Sequence, residues 1–131
     1  MPERSFPGPF ASFTGEAGEW FWRGDRQSGT RRAIAMLAQP DTVGNRHVML
    51  ALAKIPPGQA APWHLHEDFE EFCYFLSGEG VFCCEGQKEV RVAPGSVNVI
   101  APGTLHCHRP TGDEDLLFLW GYAPPGEQLS I

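Results

Sequence analysis

The sequence predicts a single all-β domain, a sandwich or small barrel of short strands, and three observations predict it. Gly 15 and Pro 12 of 131 residues are spread between apolar runs, which favours many turns over long helices. The runs themselves are short and closely spaced, from "RRAIAML" through "HVMLALAKI", "EFCYFLSG", "VFCCEGQK", "EVRVAPGS" and "VNVIAPGT" to "DLLFLWGYAPPG". No 3.6-residue period survives for three turns, so helix is expected to be minor. The length suits one core and hardly two.

Residues 1–30 mix Gly, Pro, Ser and aromatics without a sustained period and read as an N-terminal arm with one short strand, followed by a β domain over 31–131. Phe10, Phe13, Trp20, Phe21 and Trp22 of the arm need a surface to pack on. Val48 to Ile55 and Leu116 to Ala123 are apolar on both alternating faces, which implies cover on both sides by a second sheet, the arm or another subunit. A homodimer is expected on this ground.

A net charge of −6 excludes a nucleic-acid surface, which needs concentrated Lys and Arg. The only basic cluster, "RGDRQSGTRR" at Arg23 to Arg32, reads as a solvated loop, its Arg-Gly-Asp being too short a motif to carry meaning. No apolar stretch reaches membrane-span length and "MPERSFPGPF" lacks a signal-peptide core, so the expected location is the cytoplasm with no membrane partner. Cys73, Cys83, Cys84 and Cys107 contain no C-x-x-C pair, so they read as reduced thiols, with Cys83 and Cys84 on opposite strand faces.

The chemistry concentrates in "GQAAPWHLHEDFEEFCYFLSG", Gly58 to Gly78. On a strand, His64 and His66 point the same way with Leu65 opposite, and in the next run Glu71, Cys73 and Phe75 share one face while Phe72, Tyr74 and Leu76 share the other. If the two runs pair side by side, Glu71 converges on the histidines. Imidazole nitrogens with a carboxylate suit Fe(II), Mn(II), Ni(II) or Zn(II). A second pair, His106 and His108 in "LHCHRP", follows the turn "APGT" and offers a fourth donor.

At these residues the chain resembles the cupin family. Gly58, His64, His66, Glu71 and Gly78 match every fixed position of its first motif, G-x5-H-x-H-x4-E-x6-G. Gly95, Gly103 and His106 stand in register with the second, G-x5-P-x-G-x2-H-x3-N, while Ala101 replaces its proline and Pro110 its asparagine. The two motifs span about 40% of the chain. The resemblance implies a double-stranded β-helix, the cupin jelly roll, with one divalent transition metal, Fe(II) favoured, held by His64, His66, Glu71 and His106, and Glu70 pointing away. His108 would lie deeper or nearer the mouth as a catalytic or substrate-contacting group.

The residues leave the reaction open. A small-molecule substrate is expected, with a dioxygenase-type oxidoreductase preferred by analogy with small cupins, a metal-dependent isomerase, cyclase or lyase as the alternative, and a non-enzymatic binding or sensor module as another. Cys73 reads as a small buried residue close to the site, Cys107 as facing the other layer, His47 as a surface or structural residue, and the row Phe118, Trp120 and Tyr122 as core that could also line a cavity.

Overall fold

The computed structural model describes residues 9–126 and is built from ten strands and one 3-10 turn, Gly15–Ala17. In chain order the strands are β1 (Trp20–Arg23), β2 (Arg32–Ala38), β3 (Met49–Ile55), β4 (Ala61–His64), β5 (Glu70–Ser77), β6 (Gly80–Cys84), β7 (Val90–Val92), β8 (Val97–Ile100), β9 (His106–Pro110) and β10 (Leu116–Ala123). They form a six-stranded sheet, β1-β2-β3-β10-β5-β8, and a four-stranded sheet, β4-β9-β6-β7, whose pairings are all antiparallel. This is the jelly-roll architecture, and no helix among the described residues is long and apolar enough to cross a membrane.

Alternation fixes which side of each strand is inside. In β3, Met49, Ala51, Ala53 and Ile55 are buried and the residues between them are half-buried. In β5, Glu71, Cys73 and Phe75 are buried while Glu70, Tyr74 and Leu76 are exposed, as the period predicts. The inner faces of β3, β5 and β10 meet in one apolar cluster with Ile34, Val92 and Ile100, where the Phe75 and Phe118 rings lie 4.9 Å apart. At the β5–β6 turn, Gly78 has φ +82°, and a Cβ there would stand 2.2 Å from the Asp115 carbonyl oxygen. Only glycine fits that approach.

The doubly apolar strands β3 and β10 are the middle of the larger sheet, with β2 and β5 on their flanks. Part of the outer cover comes from the arm: a Cβ at Gly15 would touch Leu52 Cδ1 at 3.7 Å. The one strand expected in the arm is β1, an edge strand antiparallel to β2. Its Trp20 and Trp22 face outward, under Lys54 and Arg31 respectively, each cation 4.5 Å from the ring. At the other end of the sheet Tyr74, Leu76, Val97 and Val99 remain exposed.

Candidate metal centre

Four of the five residues singled out for the site converge. His64 ends β4 directly opposite His106 of β9, His66 follows two residues beyond the strand, and Glu71 projects inward from β5. One ligand atom from each lies within 4.8 Å of the others. The expectation that Glu71 reaches the histidines from a neighbouring strand is corrected: β4 and β5 belong to different sheets, so Glu71 meets the histidines across the barrel interior. Strand pairing here is non-local, and adjacency in the chain does not reveal it.

The donors are oriented by the backbone. His64 Nδ1 lies 2.6 Å from the Pro62 carbonyl oxygen and His106 Nδ1 2.8 Å from that of Thr104, so each Nδ1–H donates and Nε2 is left with its lone pair. Glu71 Oε1 stands 4.0, 3.1 and 3.3 Å from Nε2 of His64, His66 and His106. These approaches are not aligned as hydrogen bonds: Glu71 Oε1 and the Nε2 atoms of His66 and His106 are buried without a hydrogen-bond partner. Unpartnered buried polar atoms are costly, and a carboxylate oxygen that converges with imidazole nitrogens is satisfied by a cation. The donor set fits a divalent transition metal.

Electrostatics agree. Burial pushes the Glu71 carboxyl up, but His106 and His66 more than offset it and hold it at about 2. For His106, burial lowers the imidazole and contact with Glu71 outweighs it, so the net direction is up; His64 is lowered, chiefly by burial. Negative charge is thus retained inside the protein at the point where the imidazoles meet.

The surrounding side chains hold this arrangement. Cys73 is 1% exposed and its Sγ–H donates to Glu71 Oε2 at 3.7 Å, leaving Oε1 to face the histidines; burial and then Glu71 push the thiol well up, so it stays protonated. Phe69 and Tyr122 pack on His66 with ring centroids 4.7 and 4.6 Å away. Of the two places open to His108, the structure gives the deeper one. It sits among Phe75, Phe82 and Phe118, its Nε2–H donates to Asn98 Oδ1 at 3.1 Å, and burial lowers it to about 3.

A cavity of about 690 Å³ opens beside the cluster, with His64, His66, Glu71 and His108 on its wall. Phe118, Trp120 and Tyr122 belong to the core cluster and also line this cavity. Glu70 and Tyr74 are exposed and His47 lies on the surface, as read from the sequence, while Cys107 stands opposite Cys83 across the β6–β9 pair. Arg23 and Arg32 were missed. The loop between them is exposed as expected, and so is Arg23; the correction to the solvated-loop reading is that both arginines lie on strands and line the cavity, with Arg32 half-buried. The available signal was the alternation Phe21-x-Arg23 and Arg32-x-Ile34, which puts each arginine in phase with an apolar, core-facing residue. Asn98 was missed too, being a single polar residue within "VNVI".

Residues 51–122 match the family described as the cupin domain. The chain is a cupin. Over 86 residues, 66% of this cupin and 70% of the relative, it is 37% identical to an oxalate-binding protein of Thermotoga maritima. Among solved structures it is similar to a predicted oxalate decarboxylase from Thermotoga maritima, with 29% identity and a TM-score of 0.67 over 95% of this chain and 99% of that one. It is also similar to a protein ascribed as a sugar phosphate isomerase from Acidithiobacillus ferrooxidans, with 30% identity and a TM-score of 0.59 over 70% of this chain, but it spans only 59% of that chain.

Proposed function

We propose that this cupin holds one divalent transition-metal ion through His64, His66, Glu71 and His106, and takes a small carboxylate-bearing molecule in the adjoining cavity. The observation that carries the reading is the meeting of buried polar atoms without a hydrogen-bond partner, Glu71 Oε1 with Nε2 of His66 and His106. Fe(II) is the ion favoured by the resemblance, and Mn(II), Ni(II) and Zn(II) suit the same donors. When bound, such an ion would supply a Lewis acid beside the cavity. Glu71 offsets its charge, the carbonyls of Pro62 and Thr104 hold two imidazoles in the ligating tautomer, and Cys73 fixes the carboxylate rotamer. His108, neutral and anchored by Asn98, serves as a hydrogen-bonding contact for the ligand, with Nδ1 as acceptor.

The oxalate-binding relative supports a carboxylate ligand, and the similar structures named as a predicted oxalate decarboxylase and a sugar phosphate isomerase support lyase or isomerase chemistry as the first reading beside simple binding. An Fe(II) dioxygenase is the second reading, favoured by the two-histidine-and-carboxylate core of the donor set. Metal analysis of protein purified without chelator, with oxalate binding and oxygen uptake measured on the reloaded protein, tests the proposal. About one ion per chain is expected from the one donor cluster among the described residues, lost in His64→Ala/His66→Ala. Full retention in that double variant sinks the ligand assignment, and turnover that requires O2 moves the reading to the dioxygenase. We also place the chain in the cytoplasm, where its cysteines stay free thiols, as a homodimer whose contact includes exposed Tyr74, Val97 and Val99. A monomeric mass by light scattering at micromolar concentration contradicts the dimer.

A further inference from the structure

We propose that Arg23 and Arg32 form a second anion-binding site in the same cavity, so that the ligand is a two-ended anion with an oxygen donor at the metal cluster and a carboxylate or phosphate at the arginine pair. The inference rests on the metal-binding reading for one end of the ligand only.

The pair is fixed by the hairpin that joins β1 and β2. Arg23 and Arg32 are direct cross-strand partners, the last such pair before the turn. Within the turn, Thr30 Oγ1 accepts from the Asp25 N–H at 3.0 Å and Asp25 Oδ1 accepts from the Gln27 N–H at 3.0 Å. Gly24, at φ +77°, lies so close to the Thr30 carbonyl that a Cβ would stand 2.0 Å from its oxygen. The acid of the Arg-Gly-Asp sequence is thus spent on turn geometry, and the hairpin sets two guanidinium-bearing strands at a defined register.

Like charges directly opposite on paired strands destabilise a sheet unless something lies between them. No carboxylate does so here: among the described residues the arginine ion pairs are Arg91 with Glu79 and Arg109 with Glu89. Arg32 is half-buried and donates from Nη1 to the Thr30 carbonyl at 2.8 Å, which orients its guanidinium; burial, then Arg23, lowers it. A planar fork held beside a second guanidinium matches a carboxylate or phosphate.

The cavity relates the two sites. Tyr122 stands opposite Glu71 in the β10–β5 pair and lines the same cavity as Arg23 and Arg32. The cavity of about 690 Å³ falls among sites that enclose drug-sized molecules, well beyond what a four-oxygen dianion fills. Glu67 and Asp68 also line it, but both are exposed on the loop between β4 and β5. Their charge is screened by solvent, as is that of exposed Arg23, whereas that of Arg32 is partly withdrawn from it and carries the anchor.

Calorimetric titration of metal-loaded protein with acetate, glutarate and phosphoglycolate tests the site. The two-ended probes are expected to bind more than about tenfold tighter than acetate, the increment of one charge-assisted contact. Arg23→Gln and Arg32→Gln are expected to abolish that advantage while leaving acetate affinity and metal content in place in a protein that stays folded by circular dichroism, and Arg32→Lys to retain part of it. The larger loss, with glutarate or with phosphoglycolate, assigns the group to carboxylate or phosphate. Undiminished affinity for both two-ended probes in the Arg23→Gln/Arg32→Gln variant overturns the proposal. If the metal assignment alone is wrong, His64→Ala/His66→Ala keeps its metal while the arginine dependence persists.

Discussion

Glu70 and Glu71 are adjacent carboxylates with opposite fates, which makes them a sharp test of the centre. Glu71 is 5% exposed and Glu70 faces solvent on the same strand. Glu71→Gln removes the only negative charge among the four donors while preserving side-chain shape. A change that perturbs even an outer partner of a metal ligand weakens affinity by about 10–100-fold, so about hundredfold is expected for the ligand itself. With metal at about 100 times the wild-type Kd, binding stabilises the native state by about 2.7 kcal/mol, and in Glu71→Gln at the same concentration by only about 0.4 kcal/mol. For a chain of this size the wild-type gain corresponds to about 10 °C in Tm. Thermal unfolding with and without Zn(II), paired with competition against a chromophoric chelator, reads both numbers. Glu70→Gln is expected to keep the full metal-dependent shift. Equal losses in the two variants, or a larger loss in Glu70→Gln, would refute the inward orientation of Glu71 as the source of affinity.

Cys73→Ala deletes the donor to Glu71 Oε2 and is expected to weaken metal binding by about tenfold without unfolding the domain, read by the same chelator competition. Asn98→Ala leaves the buried His108 Nε2–H without its acceptor and is expected to cost about 1–3 kcal/mol in urea unfolding, with metal content unchanged. An unaltered midpoint would mean that His108 is satisfied in some other way.

The motif residues were legible because a period of two and glycine-marked turns dictate which side chains share a face. Glu71 inward with Cys73, Glu70 and Tyr74 outward, and His106 in phase with His108 all follow from alternation within single strands. What lay beyond reach was the relation between strands. That β4 and β5 stand in opposite sheets depends on long-range pairing, and so does the opposition of His64 to His106. Arg23 and Arg32 were hidden for a similar reason: a charge cluster in sequence looks solvated, and only the hairpin register turns its two ends toward a cavity whose other wall lies far along the chain.

The donors of the candidate metal centre are divided between the layers, His64 and His106 belonging to one sheet and Glu71 to the other. An ion held by all of them therefore acts as a rivet between two layers that otherwise adhere mainly through side-chain contacts. Backbone hydrogen bonds run within each layer, so separating the layers breaks few of them, and this makes it a natural low-energy opening of the barrel. Occupancy of the centre should thus register in amide hydrogen exchange well away from the ligands, as slower exchange in β4 and β9 together with β5 and β10. The same rivet would confine the cavity between the layers to one width, and a ligand that fits the charged barrel would lose its fit when the layers part.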